Sequence, residues 1–225
     1  MQYVLLRGLL NVIFRVLWRP RITGVERIPP SGPVIIASNH LSFIDSVVLP
    51  LSVPRRVRFL AKSDYFTGTG LRGALVAWWF RSMDTVPVDR GNNQDAMASL
   101  KAAMGVLEDG HCFGIYPEGT RSRDGRMYKG RTGVGWLALE SGATVVPVTL
   151  IGTDQVQPVG RRIPRVRPVQ VLFGEPVDPA PWIERTRGKG GAGKARREIT
   201  DEVMARISAM SPQVQAGVFN ERQPD

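Results

Sequence analysis

Cysteine and histidine are nearly absent from this chain. One cysteine, Cys112, excludes an internal disulfide framework and fits a reducing compartment. Two histidines, His40 and His111, together with that single thiol show no metal-ligand spacing, so no metal site is expected. Acidic residues are also scarce: 20 Asp and Glu stand against 30 Lys and Arg, which leaves a net charge of +10. Such basicity draws polyanions, either nucleic acid or anionic lipid headgroups, and composition alone does not separate the two. Recognition helices, zinc fingers and RNP-type strands are missing, which argues against nucleic acid as a partner. Long uncharged apolar runs are missing too. Arg7 and Arg15 interrupt the N-terminal one, where a spanning helix asks for ~20 apolar residues. The same segment lacks the early positive charge and the small-residue cleavage site of a signal peptide.

What is present fits one ordered domain of 225 residues, with 43% hydrophobic and 22% charged residues. The 24 Gly and 17 Pro fall mostly between periodic segments and read as turns. In residues 2–19, Arg7, Asn11, Arg15 and Arg19 recur four apart, and on a helix they form one polar stripe. Nearly all the other residues there are apolar. The pattern predicts an amphipathic helix in the headgroup plane of an anionic membrane, and a helix packed on the core is the bland alternative. The expected division is therefore residues 1–20 as a membrane-association helix, 21–210 as the main domain and 211–225 as a C-terminal tail. The last ten or so residues are expected to fray.

After Pro20, RITGVERIPPSGP (21–33) reads as a short strand and turns, and short apolar strands are expected at 34–38, 57–62, 84–88, 111–116, 144–150 and 168–174. Helices are expected from about residue 45 to Pro50, at 71–80, 92–110, 132–141 and 195–210, with GKGGAGK (188–194) as a loop or linker. The alternation predicts an α/β fold: a mostly parallel central sheet covered by helices, carrying the N-terminal interface helix.

His40 falls just past the strand at 34–38, at the sheet edge where α/β proteins place their sites. Asp45 opens the next helix. Five residues apart within one helix the two would diverge, but a loop His facing a first-turn Asp allows contact. The carboxylate then fixes the tautomer and leaves the other ring nitrogen as a base. Taken alone, the pair is equally a capping Asp beside a satisfied loop histidine. A second cluster, YPEGTRS (116–122), presents Glu118, Gly119, Thr120 and Arg121, with Lys129 downstream. Arg121 and Lys129 supply forked and point-charge donors for a phosphate monoester, and Gly119 permits close backbone approach. Trp78, Trp79 and Phe80 suit the lining of an apolar tunnel, a bilayer interface or a plain core position. GKGGAGKA (188–195) lacks the terminal hydroxyl of a phosphate loop, and GTGLRG (68–73) does not directly follow a strand, so neither is read as a nucleotide site.

NHLSFID (39–45), VPVDR (86–90), YPEGTRS (116–122) and VVPV (145–148) occur in this order. Together they resemble the four motifs of the glycerophospholipid acyltransferases, the 1-acylglycerol-3-phosphate O-acyltransferase family. Tyr116 stands where that family more usually has Phe. AKSDYF (61–66) and GEPVD (174–178) extend the resemblance, which runs from about residue 22 to 178.

The resemblance implies transfer of a long-chain acyl group from acyl-CoA or acyl carrier protein, a co-substrate rather than a cofactor. The implied acceptor is the free hydroxyl of lysophosphatidate, and the product is phosphatidate. It implies His40 as the base and Asp45 as its partner, with Lys62, Arg90, Glu118, Gly119, Thr120, Arg121 and Lys129 binding substrate. Glu118 would orient the glycerol or a basic neighbour. The implied location is the cytoplasmic face of the cell membrane, peripherally bound. Glycerol 3-phosphate, another lysophospholipid and a lipid-linked sugar are alternative acceptors. A catalytically silent lipid-binding relative is the alternative of a different class.

Overall fold

The computed structural model describes residues 2–221 apart from 71–72, 75–76, 79–84, 89–92, 162 and 189. Eight strands are described: β1 (Arg21–Thr23), β2 (Val34–Ser38), β3 (Val57–Arg58), β4 (Leu60–Lys62), β5 (Val86–Val88), β6 (Cys112–Ile115), β7 (Thr144–Ile151) and β8 (Gln170–Phe173). Six of them form one sheet in the order β1-β8-β7-β2-β6-β3. Every neighbouring pair in it is parallel except β7 with β8.

The central strands are buried on both faces, so they read as continuous apolar runs rather than alternating ones. In β2, VIIAS is buried throughout. Val34 and Ile36 face one core with Val146, Val148 and Leu150 of β7. Helix α1 (Gln2–Trp18) and helix α2 (Asp45–Ser52) cover that side, through Phe14, Val48 and Leu49. Ile35 and Ala37 face the opposite core. Helices α3 (Asn93–Glu108), α4 (Gly133–Ser141) and α7 (Ala192–Met210) cover that side, through Leu107, Leu137, Ile199 and Val203.

Several expectations are corrected in detail. The strand at 57–62 is split. β3 stays in the main sheet beside β6, while β4 leaves to pair with β5 in a separate two-stranded ribbon. The break falls at Phe59, whose ring lies where a Cβ on Gly114 would sit, 2.2 Å from that position. A glycine in β6 is what admits the ring. Residues 192–194, expected in a linker, form the first turn of α7. Two short helices went unanticipated, α5 (Thr153–Val156) and α6 (Ala180–Thr186), the latter in the segment PWIERTR. The helix expected at 71–80 lies mostly outside the described residues.

Helix α1 has a core face and a solvent face. Phe14 is 1% exposed, with Leu10 and Trp18 packed beside it, and Arg7 donates to the carbonyls of Val53 and Arg55. About 200° away around the helix, Val12 and Val16 are 62% and 64% exposed, and Leu9 is also exposed. Arg19, in the left-handed region at φ 41, ends the helix ahead of Pro20. Among the described residues no helix is long and apolar enough to cross a membrane.

The expectation of fraying is corrected for residues 211–220, while 222–225 lie outside the described residues. Residues 211–220 run along the loop at 121–131. Met127 N–H donates to Val214, Ala216 N–H to Met127, and Lys129 N–H to Val218, at 2.8–2.9 Å.

Candidate active site

The site is built where β2 and β6, adjacent and parallel, reach their C-terminal ends. Asn39 ends β2. Its side-chain oxygen accepts from Leu150 N–H (2.8 Å) and its amide donates to Leu150 O (3.0 Å), so the side chain continues the ladder to β7. The main chain is thereby released to turn outward at His40.

Asp45, fully buried at the start of α2, folds the intervening loop around its carboxylate. Oδ2 accepts from Leu41 N–H (2.7 Å), Ser42 N–H (2.8 Å) and His40 Nδ1–H (2.8 Å). The structure thus brings His40 and Asp45 together, and the spacing is what permits it: the donors precede the helix and the acceptor opens it. Because the carboxylate accepts, the proton sits on Nδ1, and Nε2 carries the lone pair. Nε2 makes no hydrogen bond among the described residues, and the His40 side chain is 17% exposed.

Tyr116, the first residue after β6, stacks on the imidazole with ring centroids 3.9 Å apart and planes 10° from parallel. Phe59 extends the stack on the far side of Tyr116, at 5.8 Å. Burial, then the neighbouring Asp45 carboxylate, pushes the Tyr116 phenol well above its usual range, so the ring stays neutral. A neutral π-face against the imidazole stabilises a positive charge that forms on it. In the sequence Tyr116 is only a departure from Phe at the end of the strand expected at 111–116; no local pattern signals its stacking on His40.

Glu118 is placed differently from the expectation that it binds substrate. Its side chain is fully buried, with one oxygen accepting from His40 N–H (3.2 Å) and the other from Tyr128 N–H (2.9 Å). The carboxylate brackets the histidine backbone to the 121–131 loop and presents no free face to a substrate. Burial raises its pKa to about 7, against the two N–H bonds that favour the ionised form. Ser122 N–H completes the bracket by donating to His40 O (2.8 Å).

Gly119 sits in the left-handed region at φ 81, its N–H closing a turn onto Tyr116 O (3.0 Å). A Cβ there would meet only the flexible Arg131 side chain, at 2.9 Å, so it is the backbone conformation that calls for glycine. Thr120 and Arg121 are half-buried beside it, and Lys129 is exposed. Lys62 closes β4, while Arg90 lies outside the described residues, as do Trp79 and Phe80. Trp78 is 48% exposed. Cys112 is fully buried, and that burial raises its thiol pKa. Among the described residues no group of His, Cys, Asp and Glu is disposed to hold a metal ion.

The C-terminal strap contributes residues that sequence reasoning missed. Gln213 accepts from Asn39 Nδ2 (2.6 Å) and donates to Gly125 O (3.0 Å). Asn220 donates to Arg121 O (3.2 Å), and its own carbonyl accepts from Arg131 (2.9 Å). No local pattern signals these bonds, because their partners lie about 90 to 170 residues away in the chain.

A buried aspartate holds an imidazole at the mouth of a mostly parallel sheet, with an arginine-bearing turn alongside, an arrangement that suits general-base chemistry. The acyltransferase family model matches residues 19–151, and the chain belongs to that family. Among similar proteins, 1-acyl-sn-glycerol-3-phosphate acyltransferase LPAT1 from Arabidopsis thaliana chloroplasts is 34% identical over 144 residues. That match covers 64% of this chain and 39% of the plant protein. The Bacillus subtilis 1-acyl-sn-glycerol-3-phosphate acyltransferase is 24% identical over 180 residues, covering 80% of this chain and 84% of that protein. The chain spans less than half the length of the matched relatives from Arabidopsis thaliana, Brassica napus and Chlamydomonas reinhardtii. Its structure is similar to the crystal structure of PlsC, the 1-acyl-sn-glycerophosphate (LPA) acyltransferase of Thermotoga maritima. The TM-score is 0.70 at 25% identity, over 94% of this chain and 80% of that one.

Proposed function

We propose that this chain transfers a long-chain acyl group from an acyl thioester to the free hydroxyl of lysophosphatidate, giving phosphatidate. The observation that carries the reading is the 2.8 Å bond from His40 Nδ1 to a fully buried Asp45, which turns Nε2 outward beside the 116–122 turn. Nε2 takes the proton of the acceptor hydroxyl as its oxygen attacks the thioester carbonyl. The tetrahedral intermediate collapses, the C–S bond breaks, and the thiolate leaves with the proton returned from the imidazolium. Asp45 stabilises that imidazolium across Nδ1 and is not itself protonated. The acceptor oxygen is the nucleophile, so no acyl-enzyme forms. Arg121, Thr120, Lys129, Lys62 and Arg90 bind the acceptor phosphate, with Gly119 allowing its approach. Glu118 acts through the His40 backbone as a positioning residue. Acyl-CoA or acyl carrier protein serves as donor.

In this reading the protein binds peripherally at the cytoplasmic face of an anionic membrane. Support comes from α1, which leaves Leu9, Val12 and Val16 exposed opposite its core face while Arg15 and Arg19 are also exposed. The test is CoA release from a long-chain acyl-CoA with an acceptor panel of lysophosphatidate, glycerol 3-phosphate and lysophosphatidylcholine. Lysophosphatidate is expected to give the highest kcat/KM, and His40→Ala is expected to lower kcat by about 10²–10⁴-fold with little change in Tm. Near-normal turnover in that variant would refute His40 as the base. A clear preference for glycerol 3-phosphate would reassign the acceptor.

A further inference from the structure

Between α5 and β8 the chain runs through QPVGRRIPRVRPV (157–169) with no helix or strand among its described residues. It contains no acidic residue; none occurs from Gln155 to Gly174. Arg161, Arg165 and Arg167 are exposed. Interleaved with them, Val159, Ile163 and Val166 are 50%, 75% and 64% exposed. Large branched side chains left in water beside several arginines are costly on a surface that meets only solvent. Pro158, Pro164 and Pro168 restrict the backbone at three points along the segment.

Its anchorage points to a use. At one end Gln157 O accepts from Ser42 Oγ (2.7 Å), within the loop that carries His40. At the other, Arg165 N–H donates to Val156 O (2.7 Å) and closes the loop, while Arg165 O accepts from Trp18 Nε1–H (2.9 Å). Trp18 is the last residue of α1, next to the exposed Val16 and Leu17. The loop is therefore tied both to the catalytic segment and to the helix with the exposed apolar face.

We propose that residues 158–167 form a second lipid-docking element, continuous with α1, that seats Ile163 and Val166 in the headgroup region of an anionic bilayer and pairs its arginines with lipid phosphates. The inference rests on the membrane-surface reading of α1 given above. Arginine stems snorkel, with their heads at the phosphates and their methylenes beside the apolar residues. A tryptophan at the junction suits the same depth. The bonds to Ser42 and Trp18 orient the mouth of the site toward the surface from which a lipid acceptor arrives.

Because Cys112 is buried and is the single native cysteine, a thiol introduced by Ile163→Cys can be labelled selectively with an environment-sensitive dye. On vesicles of phosphatidylcholine with about 30% phosphatidylglycerol, which supply the anionic surface charge, the emission is expected to shift blue and to be quenched by spin-labelled lipid. A label at Glu184→Cys, on α6 across the sheet, is expected to do neither. Unshifted emission at 163 in protein that co-sediments with those vesicles would overturn the proposal. Replacing Arg161, Arg165 and Arg167 together by Gln is expected to weaken vesicle binding about a hundredfold, from about 1 kcal/mol per arginine near an anionic surface. Unchanged binding in that variant would also overturn it. Both readouts use vesicles free of acceptor and thioester, so a failure of the acyl-transfer reading would show only in the CoA-release assay.

Discussion

Glu118 shows what one buried carboxylate imposes on this site. Its folded pKa of about 7 lies above the ordinary 4.5, so the folded state binds a proton that the unfolded state has already released. Its contribution is complete below the unfolded pKa of 4.5 and is lost as pH rises through about 7. Glu118→Gln cannot ionise and removes that dependence, at a pH-independent cost from turning an amide toward a backbone N–H. Measured by denaturant unfolding, the stability advantage of the wild type over Glu118→Gln is expected to shrink by about 2–3 kcal/mol from about pH 5 to about pH 8. Parallel curves would show that the carboxylate is ionised in the folded protein throughout. The same residue marks a limit of reading by sequence. PEGTR announces a glutamate, but whether it faces a substrate or His40 N–H depends on Tyr128, ten residues further on. His40 and Asp45 were legible because both partners sit within one seven-residue motif. Asn39 lay in the same motif, yet its role depends on Leu150, 111 residues away.

Among the elements, the strap at 211–220 has the least sequence signal and touches the most of the site. Gln213 joins Asn39, beside His40, to Gly125 in the loop that follows Arg121. Gln213→Ala is expected to lower kcat about tenfold while leaving the acceptor KM within a factor of two, because a shift of the His40 loop affects the reacting geometry more than phosphate binding. The stability loss is expected to be about 1 kcal/mol, the size of one hydrogen bond. Gln213→Glu keeps the acceptor for Asn39 Nδ2 and loses the donor to Gly125. Recovery of kcat in the glutamate variant would assign the effect to Asn39, whereas a rise in KM alone would place it in the phosphate loop. Strands β2, β6 and β7 were legible because burial on both faces demands short runs of branched apolar residues. α5 and α6, at four and seven residues, are too short for a helical period to emerge. The strap is held by main-chain bonds and by the isolated side chains of Gln213 and Asn220, which form no periodic pattern.

Across the whole molecule, the proposed membrane docking has two terms of different physics. The net charge of +10 acts at a distance that salt shortens, from a Debye length of ~10 Å at 0.1 M to ~3 Å at 1 M. The apolar face of α1 acts only on contact and is insensitive to screening. Deleting α1 would not separate the terms, since Phe14, at 1% exposure, would leave the core with it. Leu9→Asp with Val16→Asp alters only exposed positions. This double variant is expected to keep the wild-type Tm and to bind vesicles about a hundredfold more weakly, at about 1.5 kcal/mol for each apolar side chain kept out of the membrane. Its residual binding to anionic vesicles is expected to fall with salt to a lower plateau than the wild type's, because the charge term is screened to a Debye length of ~3 Å at 1 M while Val12 and the 158–167 loop keep an apolar contact. Wild-type binding is expected to fall with salt to a plateau set by the apolar face. Co-sedimentation of both proteins across a salt series measures the two terms separately. A wild-type curve that falls to zero with salt would mean that α1 does not enter the lipid. A double variant that binds like the wild type would place the apolar contact elsewhere on the protein.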